Sequence, residues 1–124
     1  MAKIRHIVYR AADPEAMANF FVDAFETTIV RWRPEGGIDL SDGTINLAVL
    51  PVQRAEQRHG LEHIGFMVED EQQACRRLEA AGAREFRRTV DPYQIKFRGP
   101  EGIEVEIGNW PGAEPIPKDV PSGE

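Results

Sequence analysis

The chain has 124 residues and a mass of 14.0 kDa, which suits one domain and excludes separate cofactor-binding and substrate-binding domains. Its 15 Lys and Arg against 21 Asp and Glu give a formal net charge of −6, and this acidic balance argues against a nucleic-acid partner, because Lys and Arg supply most phosphate affinity. The sequence shows neither a signal-peptide segment nor an apolar run of membrane-spanning length. We therefore expect a globular cytoplasmic protein without a membrane partner.

The chain contains an internal repeat. Residues 5–9 (RHIVY) correspond to residues 62–66 (EHIGF), 57 positions later, and each segment is followed eight residues after its start by an aspartate, Asp13 or Asp70. Aspartate is a preferred N-cap, and Pro14 suits a first helical position. The repeat therefore predicts a strand, a cap and a helix in the same order in both halves.

The two predicted helices differ in their apolar character. In the first, an apolar stripe is formed by Met17, Phe20, Phe21, Ala24 and Phe25. The second carries a thinner stripe at Ala74, Leu78 and Ala81, and Gly82 is placed to end it in left-handed geometry. Each stripe predicts the helix face that packs on a sheet.

Three short β-like runs follow each helix, separated by Gly, Pro, Asp and Ser turns. They are Thr28–Arg33, Ile38–Leu40 and Thr44–Leu50 in the first half, and Arg84–Thr89, Gln94–Arg98 and Ile103–Ile107 in the second. The chain is therefore predicted to be α+β, with two βαβββ modules in tandem forming a cleft or half-barrel. Module 1 spans residues 3–50 and module 2 spans 61–108 of a single domain, with a polar linker at 51–60 and a Pro-rich, extended tail at 109–124. Because one module is too small for a good core, two must pack together, within or between chains.

The duplicated histidines are candidate metal ligands. His6 and His63 hold the same position on the first strand of each half, so their imidazoles would converge if the halves are related by a twofold axis. A third ligand is expected from the last strand, where Glu104 and Glu106 alternate with apolar residues and so share one face. Two imidazoles and one carboxylate suit Fe²⁺, Zn²⁺, Mn²⁺ or Ni²⁺ and leave positions open for substrate.

These residues resemble the vicinal oxygen chelate superfamily, which includes glyoxalase I, methylmalonyl-CoA epimerase, extradiol dioxygenases and the fosfomycin- and bleomycin-resistance proteins. The resemblance covers residues 3–108 and rests on the paired modules, the repeated histidine and the segment GPEGIEVEI at 99–107. It implies a metal at the centre of the cleft, bound by His6, His63 and Glu106. It also implies a homodimer and a small-molecule substrate.

The resemblance leaves the activity open. Glyoxalase I and the epimerases have a fourth ligand on the last strand of module 1, where this chain offers Asn46 as a ligand or as a group beside the ligands. Asn46 corresponds to Glu106 only with a one-residue slip. The leading expectation is a metal-dependent lyase or isomerase of glyoxalase type acting on a small oxygenated molecule. The alternatives are an Fe²⁺ extradiol-type dioxygenase and a resistance-type protein that sequesters a ligand unchanged.

Several other side chains are candidates for the chemistry. Glu104 is a candidate base, alongside a hydroxide on the metal or Glu106 itself. The basic pairs Arg31 and Arg33, and Lys96 and Arg98, could meet an anionic substrate or be ordinary strand-edge charges. Trp110 could close over the cleft. His59 is expected to be solvated in the linker, and Cys75 is expected to be a half-buried, unreactive thiol.

Overall fold

The structure is a computed structural model that describes residues 2–89 and 94–109. Within these residues it contains eight β-strands, two α-helices and one short 3-10 helix, so the α+β class is confirmed. The elements are β1 (Lys3–Ala11), α1 (Pro14–Phe25), β2 (Thr28–Trp32), β3 (Ile38–Ser41), β4 (Asn46–Pro51), β5 (Gly60–Met67), α2 (Glu71–Ala80), β6 (Arg84–Arg88), β7 (Ile95–Arg98), a 3-10 turn (Pro100–Gly102) and β8 (Glu104–Gly108). Neither helix is long and apolar enough to cross a membrane. Most of the proline-rich tail lies outside the described residues.

The described chain divides into two compact units. The N-terminal unit comprises His6–Glu62, and the C-terminal unit comprises residues 63–109 together with residues 2–5. In the N-terminal unit the strands are hydrogen-bonded in the order β2-β3-β4-β1, with β1 parallel to β4 and the other pairs antiparallel. In the C-terminal unit the order is β5-β8-β7-β6, with β5 parallel to β8. Each unit thus pairs its strands in the same way.

Both helices begin at the predicted aspartates. The carboxylate of Asp13 accepts a hydrogen bond from the backbone N–H of Ala16 at 3.1 Å, and that of Asp70 accepts one from Gln73 at 3.0 Å. Each bond satisfies one of the N–H groups that a helix start leaves unpaired. Gly82, just past α2, has φ of +95°, the left-handed conformation expected of a glycine that ends a helix.

The buried face of α1 differs from the predicted stripe. Ala18 is fully buried, and Met17, Phe21 and Val22 pack with it against the sheet. The other predicted members are exposed, with Phe20 and Phe25 at 57% and 66% and Ala24 also outside the core. The predicted stripe was right for Met17 and Phe21 and wrong for its three exposed members. Helical spacing also fits an adjacent stripe through residues 18 and 22, and contact with the sheet selects that one.

Local hydrogen bonds set two strand ends differently from the prediction. β4 begins at Asn46 rather than Thr44, because the Asp42 side chain accepts from the backbone N–H groups of Thr44 and Ile45, each at 2.8 Å. This turn holds both residues out of the ladder. β2 ends at Trp32, and Arg33 instead bonds through its backbone to Gly37 at 2.7 Å. Arg33 therefore begins the turn into β3 rather than ending β2.

In each unit the strands present an apolar face and a polar face. The apolar faces pack on the helices, α1 against Ile38, Leu40 and Val49, and α2 against Ile95, Phe97 and Ile107. Alternate residues on the same strands point the other way, and many of these are buried although polar. The buried polar side chains of both units are His6, Arg10, Arg33, Asp39, Ser41, Asn46, His63, Gln94, Lys96 and Glu106. Burying such groups is costly unless they are paired, so this face is where chemistry should be sought.

Candidate metal centre

In the C-terminal unit, His63 lies between two carboxylates. Its Nε2 atom is 3.3 Å from Oε2 of Glu106, and its Nδ1 atom is 3.3 Å from Oε2 of Glu104. His63 and Glu106 are both fully buried, whereas the Glu104 side chain is 13% exposed. The ladder between β5 and β8 brings them together, because His63 pairs with Glu104 and Gly65 with Glu106. The predicted common face of the two glutamates is therefore observed.

Lys96 completes this group. It pairs with Glu106 across β7 and β8, and its Nζ atom is 3.0 Å from Oε2 of Glu104 and 3.7 Å from Oε2 of Glu106. Lys96 is only 1% exposed, so it is a buried ion-pair partner and not an exposed charge at a strand edge. We call His63, Lys96, Glu104 and Glu106 the β8 cluster.

In the N-terminal unit, His6 is held by Asn46. The Nδ1 atom of His6 lies 2.9 Å from Oδ1 of Asn46, and both side chains are fully buried. His6 pairs with Asn46 across the parallel strands β1 and β4, just as His63 pairs with Glu104 across β5 and β8. Asn46 is therefore the counterpart of Glu104.

This register corrects the correspondence expected from the sequence. The counterpart of Glu106 is Ala48, which pairs with Val8 as Glu106 pairs with Gly65. The sequence comparison aligned Asn46 with Glu106 by a one-residue slip. In the strand pairing, Asn46 instead lies two residues away from the position that corresponds to Glu106. Ala48 is fully buried and has no ligand atom. Asn46 instead lies where it can orient His6.

Both imidazoles thus have an acceptor at the same ring nitrogen. An amide or carboxylate oxygen accepts hydrogen bonds, so a proton on Nδ1 directs the Nε2 lone pair away from that partner. Metal-binding histidines usually donate their second N–H to such a group, which fixes the ring and its tautomer. The β8 cluster also places Nε2 of His63, not Nδ1, next to the buried carboxylate of Glu106.

The donor set fits a divalent ion. His6, His63 and Glu106 are all buried and each offers one ligand atom, either an imidazole nitrogen or a carboxylate oxygen. Two atoms that bind one ion at about 2.1 Å with angles between tetrahedral and octahedral are about 3.0–3.4 Å apart. The 3.3 Å between Nε2 of His63 and Oε2 of Glu106 falls in this range. The residues present therefore fit a metal chemically.

The other predicted substrate contacts have different settings. Arg33 donates two hydrogen bonds to Asp39, each at 3.0 Å, and both side chains are buried. Arg98 is exposed, with its guanidinium 4.2 Å from the centre of the Phe86 ring and bonded to the Gly102 carbonyl at 3.3 Å. Trp110 lies outside the described residues.

The remaining residues singled out in the sequence are peripheral. Arg31 is half-buried, and His59 is exposed beside a groove at the start of α1. Cys75 is half-buried, as expected, and burial raises the pKa of its thiol, which keeps the thiol protonated and unreactive.

Four of the buried polar residues were not predicted, namely Arg10, Asp39, Ser41 and Gln94. Arg10 donates to Glu62 at 2.7 Å and to the carbonyl of Pro51 at 2.9 Å. Gln94 is fully buried, and its side-chain nitrogen and oxygen have no hydrogen-bond partner among the residues described. The sequence signal was spacing by two: Arg10 follows His6 and Val8 on β1, and Gln94, just before β7, precedes Lys96 by two residues.

A model of the glyoxalase-like domain matches residues 6–108. The chain belongs to this family. The match makes this glyoxalase-like protein a member of the vicinal oxygen chelate superfamily, and it spans both units, including both histidines and Glu106. A comparison with curated protein sequences gave no match.

Solved structures share the fold of this glyoxalase-like chain at low sequence identity. A Mn(II)-bound glyoxalase from Novosphingobium aromaticivorans has a TM-score of 0.70 and 20% identity, covering 90% of this chain and 38% of its own. A glyoxalase/bleomycin resistance protein/dioxygenase superfamily member from Vibrio splendidus 12B01 has a TM-score of 0.65 and 14% identity, covering 89% and 100%. A methylmalonyl-CoA epimerase variant from Streptomyces coelicolor in complex with 2-nitronate-propionyl-CoA has a TM-score of 0.63 and 18% identity, covering 86% and 96%. At these identities the likeness concerns the fold.

Proposed function

We propose that this protein is a divalent-metal-dependent enzyme of glyoxalase type, a lyase or isomerase acting on a small oxygenated molecule. One observation carries the proposal: both histidines place Nδ1 against an acceptor at equivalent ladder positions, 2.9 Å from Asn46 and 3.3 Å from Glu104. A pair of metal ligands needs this arrangement at both positions, because each imidazole must present Nε2 to the ion.

His6, His63 and Glu106 would hold the ion. When bound, a divalent ion supplies Lewis acidity that polarises a carbonyl oxygen of the substrate. The chain's own contribution is to hold the ligands rigidly, since His63 and Glu106 are fully buried and Asn46 and Glu104 fix the imidazoles. This rigidity keeps the open positions of the site in place for the substrate.

Glu104 is the proposed proton acceptor. Its Oε2 atom faces His63 and Lys96, whereas the charged group near Oε1 is the exposed guanidinium of Arg98, at 3.9 Å. Oε1 is therefore the atom that would take a proton from the carbon next to the substrate carbonyl and return it. Glu104 is also the less buried of the two glutamates, which suits a group that must meet a substrate.

Metal analysis of protein purified without chelator, or reloaded with Mn²⁺, Zn²⁺, Ni²⁺ or Fe²⁺, tests the metal. We expect one ion per chain, and loss of binding in His6→Ala and His63→Ala but not in His59→Ala, the exposed control. Equal metal binding by all four proteins would end the proposal.

Proton transfer is tested on the loaded protein in D₂O. A panel of α-oxo and α-hydroxy carbonyl compounds, together with methylmalonyl-CoA, is followed by mass spectrometry for deuterium incorporation. We expect exchange that Glu104→Gln abolishes while metal content is kept. If the bound metal is Fe²⁺ and catechols cause oxygen uptake without exchange, the dioxygenase alternative replaces the isomerase.

A metal-free ligand-binding function is the second candidate, because Lys96 already neutralises part of the carboxylate charge in the β8 cluster. Such a protein would bind its ligand equally well in EDTA and return it unchanged.

We also propose the homodimer that the resemblance implies, so sedimentation at micromolar concentration should give about 28 kDa for a dimer of the 14.0 kDa chain. A monomer would contradict the dimer but not the metal site.

A further inference from the structure

The β8 cluster carries an internal cation at the place where a metal ion is proposed. Lys96 is 1% exposed and its Nζ atom contacts both glutamates, at 3.0 and 3.7 Å. With the imidazole counted as neutral, the cluster holds two negative charges and one positive charge. Arg98 adds little, because its side chain is exposed and 3.9 Å away, where solvent screens it.

We propose that Lys96 sets the charge of the metal-loaded site and thereby its ligand specificity. The proposal rests on the proposed function. Without metal, the three charged groups of the cluster sum to −1; with a divalent ion they sum to +1. A net positive charge within this buried cluster favours an anionic ligand. The substrate class is therefore a small carboxylate or another oxyanion, in preference to a neutral diol or ketone.

The same geometry makes Lys96 a competitor of the ion. Its ammonium shares Oε2 of Glu106 with Nε2 of His63, the atom that the ion would bind. A like charge beside a buried cation weakens the binding of that cation. Removing the charge of Lys96 should therefore tighten metal binding and weaken anion binding, two effects of opposite sign.

Gln94 supports a ligand on this face independently. It is fully buried two residues before Lys96, and within the described part of the chain neither of its side-chain polar atoms has a hydrogen-bond partner. An amide buried in this way is costly, unless a partner is supplied. Its N–H₂ group, two residues before Lys96 in the chain, is an uncharged donor for a second oxygen of such a ligand.

The test is titration calorimetry with MnCl₂, followed by oxalate titrated into the Mn²⁺-loaded protein. For Lys96→Gln we expect Mn²⁺ binding to tighten about tenfold and oxalate binding to weaken at least about tenfold. Lys96→Arg keeps the charge and should change both affinities less than about threefold. Lys3→Gln removes an exposed lysine charge and should change neither.

The sign of the change separates a specific role from damage, because a disturbed fold loses metal affinity and does not gain it. Lys96→Met is measured in parallel with Lys96→Gln. Whichever of these two variants keeps the wild-type circular dichroism spectrum is the one compared with wild type. If wild type binds Mn²⁺ but these variants bind it equally or more weakly, or bind oxalate as tightly, Lys96 does not have this role. If wild type binds no divalent ion at all, both this inference and the proposed function are wrong.

Discussion

Oδ1 of Asn46 lies 2.9 Å from Nδ1 of His6, at the ladder position where the other unit places Glu104 beside His63. The two halves use the same position with different chemistry, a neutral amide in one and a carboxylate in the other. A carboxylate raises the basicity of its imidazole more than an amide does. Of the two histidines, His63 is therefore expected to be the stronger electron-pair donor to a metal ion.

Replacing Asn46 tests whether it orients His6. We expect Asn46→Ala to weaken Mn²⁺ binding about 10- to 100-fold, because the ring loses the acceptor that fixes its tautomer. Asn46→Asp restores an acceptor and should bind within about tenfold of wild type. The measurement is calorimetric titration, with the exposed Asn19→Ala on α1 as the control. Unchanged affinity in Asn46→Ala would mean that His6 needs no such partner.

The buried pair of Arg33 and Asp39 is predicted to serve stability and not substrate binding. Two guanidinium hydrogen bonds of Arg33 go to Asp39, and the side chains are 5% and 0% exposed. Arg33→Met should lower the free energy of unfolding by about 3–5 kcal/mol, because it leaves a buried carboxylate unpaired. The double change with Asp39→Leu should recover most of this loss in urea denaturation. A single variant as stable as wild type would contradict the prediction.

Gln94→Leu is predicted to stabilise the protein. It removes a buried amide that has no partner among the described residues and replaces it with an apolar side chain of similar size. We expect the free energy of unfolding to rise by about 1–2 kcal/mol. The exposed Gln72→Leu should stay within about 0.5 kcal/mol of wild type. A loss of stability in Gln94→Leu would show that the amide is satisfied in solution.

Asp42 should make stability depend on acid. The backbone N–H groups of Ile45 and then Thr44 lower the pKa of this carboxyl below its ordinary value of 3.8. A lowered folded-state pKa contributes stability that is present above the unfolded-state value and lost as the pH falls through the folded one. Asp42→Ala should thus be less stable than wild type at pH 6, and the difference should shrink below pH of about 4. A difference independent of pH would contradict this assignment.

Much of the local structure could be predicted from the sequence. Asp13, Asp70 and Gly82 mark the helix ends because capping depends on a few adjacent groups. The alternation of Glu104 and Glu106 with apolar residues indicated their common face, since side-chain direction in a strand has period two. The sequence alone could not show which apolar stripe of α1 is buried, because Phe20 and Val22 are both apolar. Only contact with the sheet makes one of these positions buried and the other exposed.

By itself, the sequence determined the element order, the class and the repeated histidine, because these follow from periodicity, capping and a repeat read along one chain. The tertiary structure decided what lies beside each functional side chain. Strand pairing made Asn46 the partner of His6, put Ala48 opposite Val8 and buried Lys96 against two glutamates. Register joins residues about 40 positions apart, as with His6 and Asn46. No local pattern specifies this register. A single hydrogen bond, such as the one between Asp42 and Thr44, changes the residue at which a strand begins and so changes which residues it can pair.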